Sequence, residues 1–230
     1  MAIIALSAHI DAPWFTGDLS GWASQLNAQE KHRYSLMKNK RKQQQMLLSR
    51  ALLSQALTAF DCSLNTAYKI INYSTLLLVN TAQTFSISIS HSGTMAAIIL
   101  SDKSLKLGID IEQIKKRNFT QLVNEICTRN ELALVHRRKN IETDFYQLWT
   151  IKESLAKASQ TSLISLYQCD CSAALIDEMG VVRWQNIDYY FNHIEMIGYK
   201  GTVTTNEKVI KPIKINDFAF MPHNKIDIHN

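Results

Sequence analysis

In Leu105-Lys106-Leu107-Gly108-Ile109-Asp110-Ile111-Glu112, apolar and polar residues alternate without a break. Leu105, Leu107, Ile109 and Ile111 fall on one face, Lys106, Gly108, Asp110 and Glu112 on the other, the period-two signature of a strand with one face in a core. Just upstream, Phe85 to Ser90 alternates too, with Phe85, Ile87 and Ile89 opposite Ser86, Ser88 and Ser90. It predicts a half-buried strand, ended by His91-Ser92-Gly93. Met95 to Leu100 is a fully apolar strand, and Ser101-Asp102-Lys103-Ser104 is a turn. Lys69 to Val79 is β-rich. Gln29 to Phe60 holds good helix formers and no Pro or Gly, and predicts one helix, basic in its first half and apolar in its second. Downstream, Phe119 to Asn140 reads as helical, with Thr128 and Glu131 spaced as a capping box for a second helix. Asp144 opens another helix to about Ser159. Strands are predicted at Gln168–Ile176, Val181–Gln185, Tyr189–Ile197 and Thr202–Thr205, with a turn at Asp177–Gly180. Helices mixed with antiparallel-looking hairpins give an α+β class rather than a doubly wound sheet.

A chain of 230 residues, 46% hydrophobic and 20% charged, buries enough surface to fold without a disulfide or metal staple. Its composition excludes a disordered polymer and a collagen-like one. No apolar run approaches the length of a bilayer span. Met1–Leu6 lacks the length and basic flank of a signal peptide, so a cytoplasmic protein is expected. Cys62, Cys127, Cys169 and Cys171 are too sparse for a disulfide framework, and Cys169-Asp170-Cys171 lacks the second ligand pair a zinc knuckle needs. Reduced thiols in a strand are expected there. The net charge of +5 is unevenly spread. Lys31 to Arg50 carries seven basic residues and no acid, and Lys115-Lys116-Arg117 and Arg137-Arg138-Lys139 form further clusters. Such patches attract phosphates or acidic partners, although any single one is more often a solvated face.

Asp110 and Glu112 emerge on the same polar face, about 7 Å apart along the strand. Two carboxylates held that close repel unless a cation lies between them, although two acids on an exposed edge need no ligand. On the predicted helix from Asp144, Trp149, Glu153 and Lys157 recur at i, i+4 and i+8 and make one stripe. A third carboxylate beside the first two makes an all-oxygen set suited to Mg²⁺, which completes its shell with water and phosphate oxygens. A lysine one turn away neutralises further phosphate charge, and His91 offers another donor. The set suits a phosphoanhydride substrate with a carboxylate as base.

Three spaced motifs carry a resemblance. Ile89-Ser90-His91-Ser92-Gly93, Gly108-Ile109-Asp110-Ile111-Glu112 and Trp149-Thr150-Ile151-Lys152-Glu153-Ser154-Leu155-Ala156-Lys157 match, in order and spacing, the hallmarks of the Sfp-type 4′-phosphopantetheinyl transferases, the holo-acyl-carrier-protein synthases. Cys127-Thr128-Arg129-Asn130-Glu131 occupies the place of that family's F-S-x-x-E. Arg41-Lys42 through Ser54 resembles the basic helix of its enterobactin-type and AcpT-type branch. The resemblance runs from about residue 38 to about 165.

The resemblance implies two pseudo-twofold-related α+β halves with coenzyme A bound between them: an N-terminal half over 1–104, a C-terminal half over 105–215 and a tail over 216–230. It implies transfer of 4′-phosphopantetheine from coenzyme A to a serine of an apo acyl-carrier or peptidyl-carrier protein, releasing 3′,5′-ADP. Asp110, Glu112 and Glu153 would hold Mg²⁺, and Glu153 would take the serine proton. Lys157 and His91 would contact phosphates with help from Lys152, and Arg41, Arg50 and Ser90 would serve the coenzyme A 3′-phosphate. A monomer with no nucleic-acid or membrane partner is expected. Lys115-Lys116-Arg117 is the expected docking patch for an acidic carrier.

Two departures remove coenzyme contacts. The family's G-K-P is replaced by Tyr73-Ser74-Thr75-Leu76, and a basic phosphate-binding position reads Gln45. They keep open a transferase-like binder of carrier or nucleotide without turnover. Hydrolysis of a phosphoanhydride and nucleic-acid binding by the Lys31–Arg50 patch are further alternatives. The last leaves the carboxylates without a purpose.

Overall fold

The computed structural model describes residues 3–64, 68–208 and 215–217. In chain order the elements are β1 (Ile3–His9), the short helices α1 (Pro13–Thr16) and α2 (Leu19–Ser24), α3 (Ala28–Leu36) and α4 (Lys40–Thr58). Strands β2 (Tyr68–Ile71), β3 (Thr75–Leu78), β4 (Gln83–Ser92), β5 (Met95–Ser101) and β6 (Leu107–Gln113) follow. Next come α5 (Phe119–Ile126), α6 (Arg129–Arg138), α7 (Ile141–Ser159) and α8 (Leu163–Leu166), then β7 (Met179–Trp184), β8 (Ile187–Met196), β9 (Tyr199–Thr205) and β10 (Ile215–Asp217). The class is α+β. Among the described residues, no helix is long and apolar enough to cross a membrane.

The chain divides into two compact units, Met1–Ser104 with Ile215–Asn230, and Leu105–Lys214. Of the expected tail, residues 216 and 217 belong to β10, and the remainder lies outside the described residues.

The first unit is built on a six-stranded sheet, ordered β10-β1-β5-β4-β3-β2. β10 runs parallel to β1, and the other neighbours are antiparallel. Leu6 of β1 faces Ile98 of β5, and Ile98 faces Ile89 of β4, so one apolar row crosses three strands toward α4. The single helix expected over Gln29–Phe60 is two, α3 and α4. Met37 turns extended, and Asn39 recaps the chain by accepting from the Lys42 N–H at 3.2 Å. Asparagine favours such a cap over the helix interior, which outweighs the helix formers around it. The β-rich run at 69–79 folds as the β2–β3 hairpin, with Asn72 and Tyr73 both left-handed in the three-residue loop at its tip (φ 49° and 58°), the pair of positive φ angles that marks a type I′ turn. β4 is not half-buried as its alternation suggested: Ser86, Ser88 and Ser90 are buried along with Phe85 and Ile87.

The second unit holds the antiparallel sheet β6-β9-β8-β7, with β6 at its edge. Helix α7 lies across β6 and β9. It covers the polar face of β6, which period-two reasoning had left outside the core. Gly108 permits this contact, since a Cβ there would stand 1.8 Å from the Ser154 carbonyl oxygen. Hydroxyl pairs seal the layer: Ser154 Oγ to Thr204 Oγ1 at 2.6 Å, and Thr150 Oγ1 to Thr202 Oγ1 at 2.7 Å. Thr204 and Thr202 stand in register with Gly108 and Asp110. The capping box at Thr128 forms as predicted. Gln168–Ile176 is not a strand. It holds a tight 3₁₀ turn at Ser172–Leu175, preceded by the buried free thiols Cys169 and Cys171, whose sulfurs lie 4.0 Å apart. Its backbone is committed to buried charges described below.

Candidate active site

Asp110 and Glu112 sit on β6, and Trp149, Glu153 and Lys157 form a half-buried stripe along α7. Lys157 Nζ donates to Asp110 Oδ1 at 2.9 Å and to the Ile109 carbonyl at 2.8 Å, tying the helix to the strand. Glu112 is reached by the Trp149 indole N–H at 3.3 Å and by Arg117, whose guanidinium stands 3.7 Å from its other oxygen. Glu153 feels both strand acids. Burial pushes its carboxyl above the ordinary range, the charge of Asp110 raises it further, Lys157 opposes the rise, and Glu112 adds to it. Three carboxylates thus share one field inside a single unit.

Among the described residues, no three acids close on one point tightly enough to make a ready metal cage. The reason is visible in the same contacts: an ammonium of the chain occupies one side of Asp110, and an indole and a guanidinium attend Glu112. The donor set itself fits a hard divalent cation. It is all oxygen and mutually repelling, and one member is pushed toward the neutral form when only lysine offsets the charge.

Lys152, expected to assist at phosphate, is engaged inside the unit. Its side chain is wholly buried, and the ammonium bonds Glu131 at 2.9 Å, the Cys169 carbonyl at 2.7 Å and the Leu166 carbonyl at 3.2 Å, filling its three donors. Glu131 in turn accepts from the backbone N–H of Thr128 at 2.6 Å and of Cys171 at 2.7 Å. Sequence reasoning had Glu131 as a capping residue and as the acid in the place of the family's F-S-x-x-E. Its second role could be inferred only by knowing that a lysine would arrive from another helix.

Arg50, expected at the 3′-phosphate, is likewise committed. Its Nε and Nη2 both go to Glu30, at 2.6 and 2.5 Å, and the Tyr68 hydroxyl bonds the other oxygen of Glu30. Gln45 donates to the Gly93 carbonyl at 3.0 Å and pins α4 to the β4–β5 turn. Ser90 is buried in β4, opposite Ala97. Arg41, in the first turn of α4, and His91, near the end of β4, are exposed. These four expected residues belong to the first unit, and the carboxylate stripe belongs to the second.

Two supports escaped the sequence reading. The Tyr146 hydroxyl accepts from the Lys115 N–H at 2.8 Å and donates to the Lys115 carbonyl at 3.1 Å, fixing the segment after β6. Arg117 lies 5.8 Å over the Tyr146 ring, while Lys115 and Lys116 are exposed. A separate apolar cavity of about 320 Å³, lined by Met179, Tyr190 and Val203 among others, is not part of this cluster.

Two comparisons with known proteins give matches. A protein of Haemophilus influenzae, named as a candidate 4′-phosphopantetheinyl transferase, is 34% identical over 82 residues, covering 34% of this chain and 35% of that protein. The match therefore spans about a third of the relative's length. Residues 106–191, which include all three carboxylates and Lys157, match the family described as the 4′-phosphopantetheinyl transferase superfamily.

Proposed function

We propose that the protein is an Sfp-type, Mg²⁺-dependent phosphopantetheinyl transferase, moving 4′-phosphopantetheine from coenzyme A to a serine of an apo carrier protein. What supports this reading is the Lys157–Asp110 pair on β6 and α7, with Glu112 two residues along the strand and Glu153 one turn along the helix, inside the span that matches the superfamily. Asp110, Glu112 and Glu153 would hold the ion, which supplies charge neutralisation at the coenzyme diphosphate.

The chain's own residues do the rest. Lys157 donates to the phosphate oxygens, and Arg41 and His91 are further donors to the coenzyme. The Glu153 carboxylate accepts the proton of the carrier serine. The serine oxygen bonds to the phosphorus that carries pantetheine as its bond to the departing 3′,5′-ADP breaks. General-base assistance of this kind contributes about 10²–10⁴-fold. The carrier's acidic surface meets a monomeric basic enzyme in the cytoplasm.

The test incubates the chain with coenzyme A, Mg²⁺ and several apo carriers and reads their intact mass. Addition of one phosphopantetheine supports the reading, and no addition to any carrier refutes it. The second reading, a binder without turnover, is favoured by the commitment of Arg50, Lys152 and Gln45 to internal partners. It predicts carrier binding that E153A leaves unchanged.

A further inference from the structure

Trp149 occupies the first place on the half-buried stripe of α7, one turn before Glu153. Its ring stacks on Phe145 at 5.9 Å between centroids, with 22° between planes, and Phe145 is held in turn by Phe119 at 5.6 Å. Packing alone would be satisfied by any flat ring. The indole also aims its N–H at Glu112 Oε1, at 3.3 Å.

The chemistry of that donor is unusual among the groups around the acids. A glutamate side chain loses more than 1 kcal/mol of rotamer freedom when it is fixed, so a carboxylate near the end of an edge strand needs an outside hold to stay aimed. Arg117 stands 3.7 Å from the other oxygen, Oε2, and its charge would compete with a cation there. An indole N–H is a neutral donor that accepts nothing. It can orient the carboxylate and leave its charge available.

We infer that Trp149 is a positioning residue for Glu112, holding that carboxylate in its cation-binding aim through the indole N–H rather than acting only as a packing ring. The inference rests on the metal-dependent reading above.

The test measures Mn²⁺ binding to the full chain, without carrier, by the electron paramagnetic resonance signal of the free ion. W149F keeps an aromatic ring and deletes the donor, and is expected to weaken Mn²⁺ binding about tenfold. This is the loss expected for a hydrogen bond to a charged acceptor. F145L keeps the donor and removes the stacked ring, and is expected to lower the melting temperature with Mn²⁺ affinity within twofold of wild type. W149H, which retains a ring N–H, is expected to recover part of what W149F loses.

Wild-type affinity in W149F, with wild type binding Mn²⁺, overturns the inference and leaves the metal reading standing. If W149F does not fold, the remaining pair decides: W149H binding no better than background, or F145L losing affinity in step with stability, overturns it. No Mn²⁺ binding by wild type, even with coenzyme A present, overturns both the inference and the reading beneath it.

Discussion

Lys152 and Lys157 stand five residues apart on one helix, and their surroundings give them opposite work. Lys157 is part-exposed and touches Asp110, whereas Lys152 is enclosed with Glu131. Breaking an enclosed pair from one side leaves a bare charge, so K152M should cost about 3–5 kcal/mol, read from the urea midpoint. The double variant K152M/E131L should recover most of that loss. By contrast, D110A and E153A should fold normally and lose carrier loading by at least about 10³-fold in the mass assay. Glu153 also sets a pH dependence. Its folded carboxyl holds a proton more tightly than the unfolded chain, whose value is near 4.5. Its contribution is complete below that value and drains away as pH climbs through the raised one. Metal-free protein should therefore lose thermal stability above pH 5, and added Mg²⁺ should restore more at pH 8 than at pH 5. The motifs named Asp110, Glu112, Glu153 and Lys157, and the structure links Lys157 to Asp110 and exposes Glu153 to the charge of both strand acids. The motifs did not show the internal partners of Lys152 and Arg50, because a positive charge looks the same in sequence whether a phosphate or a buried glutamate awaits it.

The contact of α7 with β6 decides how the acids meet. Gly108 is the fulcrum, and G108A would force the Ser154 carbonyl away. Overpacking of this kind costs about 1–3 kcal/mol, which differential scanning calorimetry should register as a lowered melting temperature. On the proposed transferase reading, coenzyme binding should weaken with it, as Glu153 moves away from Asp110 and Glu112. At this scale the existence of β4, β5, β6 and α7 was legible, though the alternation of β4 did not show that its serines are buried. The sequence was illegible where a local bond interrupts a pattern, as at Asn39. It also failed at 168–176, where the backbone is recruited by Lys152 and Glu131. Alternation told which residues of β6 share a face, but not that a helix would cover the polar one.

Across the chain, the excess of positive charge speaks to encounter rather than chemistry. If an acidic carrier is the partner, its KM should rise with ionic strength between 50 and 300 mM while kcat stays nearly constant, since screening acts on approach. The α+β class followed from element order. The pairing of Ala5 with Ile215 could not, because no local pattern links positions so far apart. That pairing bears on the handling of shortened forms. β10 contributes three residues, in parallel, and stands between β1 and the end of its sheet. A polypeptide terminated after Lys214 would lay bare the backbone of a strand rich in isoleucine, alanine and leucine, and uncovered margins of that kind recruit further copies. Clipping by a protease at this point should turn a well-behaved preparation into one that scatters light.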